Sequence, residues 1–153
     1  MFIKQIIDPD MKQKLVREIL ESLTDWFGIP EGREEYIRES ADEICIAAIL
    51  NERPVGFLCL KETGKDTLEL AVMGVLPAYH RQGIGRELFI SAKEIACEKG
   101  YSFLQVKTVQ MGKYENYDKT NRFYISLGFK EFEVFPALWD TWNPCQIYVL
   151  SLK

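Results

Sequence analysis

The segment Val75-Leu-Pro-Ala-Tyr-His-Arg-Gln-Gly-Ile-Gly-Arg86 decides how this chain is interpreted. It joins an apolar run at residues 68–76 to residues 84–99, whose apolar positions recur at helical spacing. The sequence therefore predicts a strand, a glycine-bearing loop and a helix in direct succession. The first N–H groups of a helix have no acceptor within it and lie at the positive end of its dipole, so the loop faces a ready anion site.

The loop also carries two glycines and two arginines. Gly83 and Gly85 let a ligand approach the backbone without meeting a Cβ atom, and Arg81 and Arg86 add positive charge. These features predict a phosphate or pyrophosphate site, and the alternative is an ordinary glycine turn with exposed arginines. A dinucleotide fingerprint needs a third glycine where Leu88 stands, and a nucleotide P-loop needs Gly-Lys-Ser/Thr there, so neither motif fits.

Outward from this segment, the apolar patterns predict an α+β protein with a mixed sheet. Strands are predicted at residues 2–7, 44–50, 54–61, 68–76, 101–109, 129–135 and 146–152. Helices are predicted at residues 11–23, 31–41, 84–99 and 118–127. The run at 44–50 has no polar residue, which is typical of a strand buried on both faces.

A second motif is Asn121-Arg-Phe-Tyr-Ile-Ser-Leu-Gly-Phe129. Its pattern predicts a short helix that Gly128 ends, followed by the start of a strand. Taken alone, it leaves Tyr124 as an aromatic that only packs against its neighbours.

Together, in this order, the two motifs resemble the GNAT superfamily of acyl-CoA-dependent N-acyltransferases. The first resembles the family's Gln/Arg-x-x-Gly-x-Gly/Ala pyrophosphate loop after Val-x-Pro-x-Tyr, and the second its Asn…Phe-Tyr-x-x-Leu-Gly-Phe segment. One departure is His80, which stands at the Gln/Arg position. The order of elements also matches, so the resemblance implies one GNAT domain over residues 1–153. It implies a mostly antiparallel sheet of about seven strands, four helices and splayed central strands.

The resemblance also implies an activity and a site. The chain would be an N-acetyltransferase that moves the acetyl group of acetyl-CoA directly to a primary amine in a ternary complex. A backbone N–H near Val75 would stabilise the oxyanion, Asn121 would bind the pantetheine arm, Tyr124 would protonate the departing thiolate, and Glu69 would deprotonate the amine. The pyrophosphate would bind the loop residues Arg81, Gln82, Gly83, Ile84, Gly85 and Arg86. Two alternatives stay open: Glu69 as an exposed strand residue, and the whole chain as a non-catalytic acyl-CoA-binding or regulatory module.

Composition excludes several other classes. The chain has 153 residues, 47% hydrophobic and 27% charged, which is typical of an ordinary globular protein. Its net charge of −4 argues against nucleic-acid binding. No apolar run is long enough to span a membrane, and no signal peptide precedes the first strand, so the prediction is cytoplasmic with no membrane partner. Four scattered cysteines and a single histidine, His80, predict no metal site.

The acceptor amine is left open by the sequence. A small polyamine, an amino acid, an aminoglycoside-like drug and a protein N-terminus all remain possible, and so does a homodimer. Weaker candidates for the acceptor site are Trp139 and Trp142, which equally could cap the core, and Tyr114 and Tyr117. The acidic run at residues 31–43 could attract a cation, but such runs are usually solvated helix faces.

Overall fold

The computed structural model describes residues 1–153 and confirms the α+β class. The seven strands are β1 (Phe2–Ile6), β2 (Ile44–Leu50), β3 (Arg53–Gly64), β4 (Thr67–Val75), β5 (Phe103–Val109), β6 (Lys130–Phe135) and β7 (Cys145–Ser151). The four helices are α1 (Pro9–Leu20), α2 (Pro30–Ser40), α3 (Ile84–Glu98) and α4 (Glu115–Ser126). No helix has the length and apolar character needed to cross a lipid bilayer.

The strands form a mixed sheet in the order β1-β2-β3-β4-β5-β7-β6. Antiparallel ladders join β1 to β2, β2 to β3, β5 to β7 and β6 to β7, whereas β4 and β5 are parallel. The parallel ladder covers only three residue pairs, from Thr67–Phe103 to Glu69–Gln105, although β4 continues to Val75.

The chain folds into two compact units. The first unit contains residues 1–61 and 71–95, and the second unit contains residues 62–70 and 96–153. In the first unit, α1 buries Leu15, Val16, Ile19 and Leu20. A Cβ on Gly74 would lie 2.8 Å from Leu23 Cδ1 and 3.1 Å from Ile19 Cγ2, so a larger residue there would displace these side chains.

The second unit is built on β5, β6, β7 and α4. Tyr148 and Leu104 are fully buried in its core, and Phe129 is 3% exposed. Gly128 ends α4 with φ +102°, as the sequence predicts. A register shift between Glu131 and Glu133 makes a bulge in β6.

Three element boundaries differ from the predicted ones by three residues, and most of the others by one or two. Helix α1 spans Pro9–Leu20 rather than residues 11–23, because the Asp8 carboxylate accepts a hydrogen bond from Met11 N at 2.9 Å and proline suits a first helical turn. Strand β3 extends to Gly64, beyond the predicted end at residue 61. Helix α4 begins at Glu115, three residues before the predicted start at Asp118, and both carboxylates fall in its first turn, where they favour the dipole.

Candidate active site

The loop after β4 has a defined backbone conformation that includes two residues with positive φ. A short 3₁₀ turn at Pro77–Tyr79 leads to Arg81 with φ +63° and Gly83 with φ +80°, and α3 begins at Ile84. A Cβ at Gly83 would meet no atom within 4 Å, so the left-handed backbone, and not lack of space, requires glycine there. Gly85 has no positive φ. The two glycines therefore differ in backbone conformation.

The loop exposes polar groups and buries one anchor. Arg81, Gln82, Gly83 and Arg86 are exposed, whereas Ile84 is 3% exposed. The helical hydrogen bonds start with Glu87 N to Gly83 O at 3.1 Å. Backbone N–H groups at the first turn of α3, together with two guanidinium groups, are donors of the kind that phosphate oxygens accept.

His80 is bonded within the first unit. Its Nε2 donates to Val75 O at 2.6 Å, and its ring meets Trp26 edge-on at a centroid distance of 5.9 Å. The residue that departs from the family pattern therefore ties the loop to the end of β4. Its imidazole acts on the conformation of the loop, and one lone pair of the half-buried Val75 carbonyl is already used.

Glu69 lies in a polar group inside the second unit. It is 5% exposed, so it is not the exposed strand residue that one interpretation of the sequence allowed. Its Oε1 is 2.9 Å from Lys107 Nζ and accepts from Gln105 Nε2 at 3.3 Å. Gln105 also donates to Thr63 Oγ1 at 2.8 Å. A buried carboxylate with these partners is held in one orientation and has a counter-ion.

Cys145 begins β7 beside this ion pair. Burial raises the pKa of its thiol to about 11, with an upward contribution from Glu69 and an opposing one from Lys107. The group therefore stays a protonated thiol at neutral pH, and thiols in that form are poor nucleophiles. Cys97, on α3, is exposed.

Asn121 is completely buried and has three hydrogen bonds. Its Nδ2 donates to Val109 O at 2.9 Å and to Tyr117 O at 2.7 Å. Its Oδ1 accepts from Tyr148 Oη at 2.6 Å. Both amide hydrogens are therefore used within the second unit, and one lone pair on Oδ1 remains for another donor.

Tyr124 packs among aromatic rings. It is 6% exposed, and its centroid lies 5.7 Å from that of Phe123, 5.8 Å from that of Phe129 and 6.4 Å from that of Tyr148. This packing fixes the ring and thus the position of its hydroxyl. Asn121 and Tyr124 share one face of α4, as their spacing predicts, and both approach Tyr148.

Three functional candidates were missed by the sequence reasoning: Gln105, Lys107 and Tyr148. The alternation in β5, with Leu104 and Val106 buried, left Gln105 and Lys107 on the opposite face as the available signal. Tyr148 gave no signal, because its partner Asn121 lies 27 residues earlier in the chain.

The weaker candidates are surface features. Trp142 is 79% exposed and Trp139 is 45% exposed, so neither caps the core. Tyr114 and Tyr117 meet edge-on at 6.0 Å, and burial, followed by the nearby Tyr114, raises the pKa of Tyr117. In the acidic run, Glu34 pairs with Arg17. No cluster of three or more His, Cys, Asp or Glu side chains is arranged to hold a metal ion.

Comparison with known proteins gives one family and one fold. The family model described as "Acetyltransferase (GNAT) domain" matches residues 41–131. A GNAT family structure from Desulfovibrio desulfuricans aligns with 99% of this chain and 99% of its own, at a TM-score of 0.86 and 22% identity. No curated protein matches the chain.

Two further structures carry activities in their names. An aminoglycoside 6'-N-acetyltransferase complexed with coenzyme A aligns over 100% of this chain and 98% of its own, at a TM-score of 0.77 and 18% identity. The ribosomal-protein-S18-alanine N-acetyltransferase from Escherichia coli aligns over 99% and 95%, at a TM-score of 0.78 and 17% identity. At these identities the likeness concerns the fold.

Proposed function

Since the chain belongs to the GNAT acetyltransferase family, we propose that it transfers the acetyl group of acetyl-CoA to a primary amine by direct attack in a ternary complex. The observation that carries this proposal is the loop between β4 and α3. Its left-handed Gly83, its exposed Arg81 and Arg86, and the helix start behind them fit a pyrophosphate by the chemistry of their donors. A solved structure of similar fold was determined with coenzyme A, which supports the same cosubstrate.

The proposed roles divide between binding and proton transfer. The loop residues 81–86 bind the pyrophosphate, and the backbone at Val75 offers an N–H to the oxyanion. In the second unit, the remaining lone pair of Asn121 Oδ1 accepts from a pantetheine amide. This contact requires a local movement, because the side chain has no exposed surface.

Two side chains of the second unit would move protons. An alkylammonium has a pKa of about 10, so the acceptor must lose a proton before its nitrogen attacks. Glu69, directly or through a water molecule, accepts that proton, and Lys107 keeps its carboxylate oriented. After the C–N bond has formed, the C–S bond breaks, and Tyr124 donates its hydroxyl proton to the departing sulfur.

Direct attack agrees with the state of Cys145, which lies beside the Glu69–Lys107 ion pair. An acetyl-enzyme route needs a thiolate at the site, but burial keeps Cys145 protonated. Unpaired cysteines suit a reducing compartment, so a cytoplasmic location is part of the proposal. Residues 1–153 acting together as a single N-acetyltransferase domain, and a possible homodimer, are also part of it.

The proposal is tested by two measurements on the whole chain. Calorimetry with acetyl-CoA and coenzyme A measures binding, and release of free thiol across a panel of amines measures transfer. We expect binding and an amine-dependent thiol release. Binding with no release for any amine would favour the non-catalytic acyl-CoA-binding module, and no binding would reject both.

Glu69→Gln tests the proton acceptor. The amide keeps the size of the side chain but has no basic carboxylate, so we expect turnover to fall by about 10²-fold, at the low end of general-base effects. Lys107→Gln is the matched variant, because it removes the ion pair and keeps the carboxylate. An unchanged rate in Glu69→Gln would assign the deprotonation to another group.

A further inference from the structure

The second unit carries an apolar groove on one face of its sheet. Its volume is about 310 Å³, and its lining residues come from four strands: Thr67, Phe103, Gln105, Phe132, Ile147 and Val149. Both of its phenylalanines are exposed to solvent, Phe103 over 43% of its surface and Phe132 over 66%. Phe132 is the unpaired residue at the bulge of β6, where bulges commonly redirect a side chain.

The strand registers show which charged groups share this face. Thr67 pairs with Phe103 and Glu69 pairs with Gln105 along the parallel ladder. Residues two apart on a strand share a face, so the apolar groove and the buried carboxylate lie on the same side of the sheet. Gln105 belongs to both, because it lines the groove and its Nε2 lies 3.3 Å from Glu69 Oε1. The side chain of Gln105 thus connects the apolar groove with the carboxylate that is proposed to deprotonate the acceptor.

We propose that this groove binds the body of the acceptor, and that the acceptor is a small primary amine with an aryl or alkyl group. This inference rests on the proposed function, which places the amine nitrogen at Glu69. The groove is near the lower end of the size range of small-molecule pockets, which suits a compact ligand. A polyol such as an aminoglycoside, or a polyamine, has less apolar surface to place on Phe103 and Phe132, so it would gain less from burial there.

The charges around the groove agree with a neutral apolar body. The register sets Lys107 and Glu133 on either side of Ile147, and Lys130 beside Val149. Together with Glu69, these are two carboxylates and two ammonium groups, so the groove has no excess charge to hold a strongly charged acceptor. Discrimination must then come from burial of apolar surface on the two phenylalanine rings.

The test compares 2-phenylethylamine with ethanolamine, which share the amine and its two-carbon spacer. In the wild type, kcat/KM for 2-phenylethylamine should exceed that for ethanolamine by at least about tenfold, the effect of burying one ring. Phe103→Ala and Phe132→Ala should each lower the value for 2-phenylethylamine by about tenfold and that for ethanolamine by less than about twofold. Phe2→Ala, at an exposed phenylalanine of β1 in the first unit, is the matched control and should change neither.

Binding measured by calorimetry in the presence of coenzyme A separates this inference from the proposed function. Binding of 2-phenylethylamine that depends on Phe103, without thiol release for any amine of the panel, would uphold the groove as an amine site and reject the acetyl transfer. Equal kcat/KM for the two amines, with no effect of either groove variant, would overturn the groove proposal alone. So would a dimer that Phe132→Ala converts to a monomer with amine binding unchanged, because the face would then be a contact between copies of the chain.

Discussion

The loop at residues 76–86 and the buried cluster of Asn121, Tyr124 and Tyr148 use opposite means to build their sites. In the loop, side chains are mostly exposed, and the backbone conformation at Arg81 and Gly83 is the special feature. In the cluster, the backbone is an ordinary helix and strand, and buried side chains bond to one another. The loop should therefore respond to changes in backbone freedom, and the cluster to loss of single polar atoms.

Among variants that test this comparison, Tyr124→Phe should give the largest effect, a loss of kcat. The substitution removes only the hydroxyl and keeps the ring that packs against Phe129 and Tyr148. If that hydroxyl protonates the thiolate, kcat should fall by about 10²–10⁴-fold, or roughly 3–5 kcal/mol. Steady-state kinetics with a working acceptor measures it.

The control for Tyr124→Phe is its coenzyme affinity and melting temperature, which should stay close to those of the wild type. A purely packing tyrosine gives the reverse pattern, with a lowered melting temperature and near-normal kcat. A folded variant with kcat within about threefold of the wild type, far below the range for a general acid, would show that Tyr124 is not the proton donor.

The two regions also differ in how far the sequence predicts them. The position of the loop could be predicted from the sequence, because the strand, the glycines and the helix follow one another in the chain and each is indicated by local residues. Even there, the sequence treated Gly83 and Gly85 alike, since φ is not readable from composition. The hydrogen bond from His80 to Val75 O could not be predicted either, because the family pattern has no histidine at this position.

In the second unit the sequence predicted which residues matter but not their partners. Glu69 and Asn121 were singled out by motif and spacing, yet their contacts with Lys107 and Tyr148 join residues 38 and 27 positions apart, as their numbers show. Such pairs follow from strand register, which is set by the whole sheet. The fold itself was predictable because alternating apolar runs and turn residues agree with each other along the chain.

Asn121→Leu should give the next largest effect, on stability. It leaves Tyr148 Oη, Val109 O and Tyr117 O without the amide, at about 1 kcal/mol each, so the free energy of unfolding should fall by about 3 kcal/mol. Urea unfolding measures it. In the double variant with Tyr148→Phe, the loss should be smaller than the sum of the single losses, because the two side chains bond to each other. If stability is kept and only coenzyme affinity falls, Asn121 contributes by contact with the ligand alone.

Gly83→Val should lower coenzyme affinity by about 10-fold, which corresponds to about 1.4 kcal/mol. The reason is that a β-branched residue resists a φ of +80°, so the loop must change its backbone. Gly85→Ala is the matched variant, since Gly85 has no positive φ and alanine favours a helix. Calorimetry with coenzyme A compares the two. Equal affinities in both variants would mean that the left-handed backbone of the loop does not contribute to binding.

Cys145 tests the burial of its thiol through the pH dependence of stability. Its pKa is raised by burial from 9.0 to about 11, so the neutral thiol is favoured in the folded state. Its contribution to stability is complete below pH 9 and is lost as the pH rises towards 11. Between these values the wild type should lose at most about 1.4 kcal/mol per pH unit more than Cys145→Ala, as urea unfolding at each pH would show. Parallel pH curves for the wild type and Cys145→Ala would show that burial does not hold the thiol of Cys145 in its neutral form.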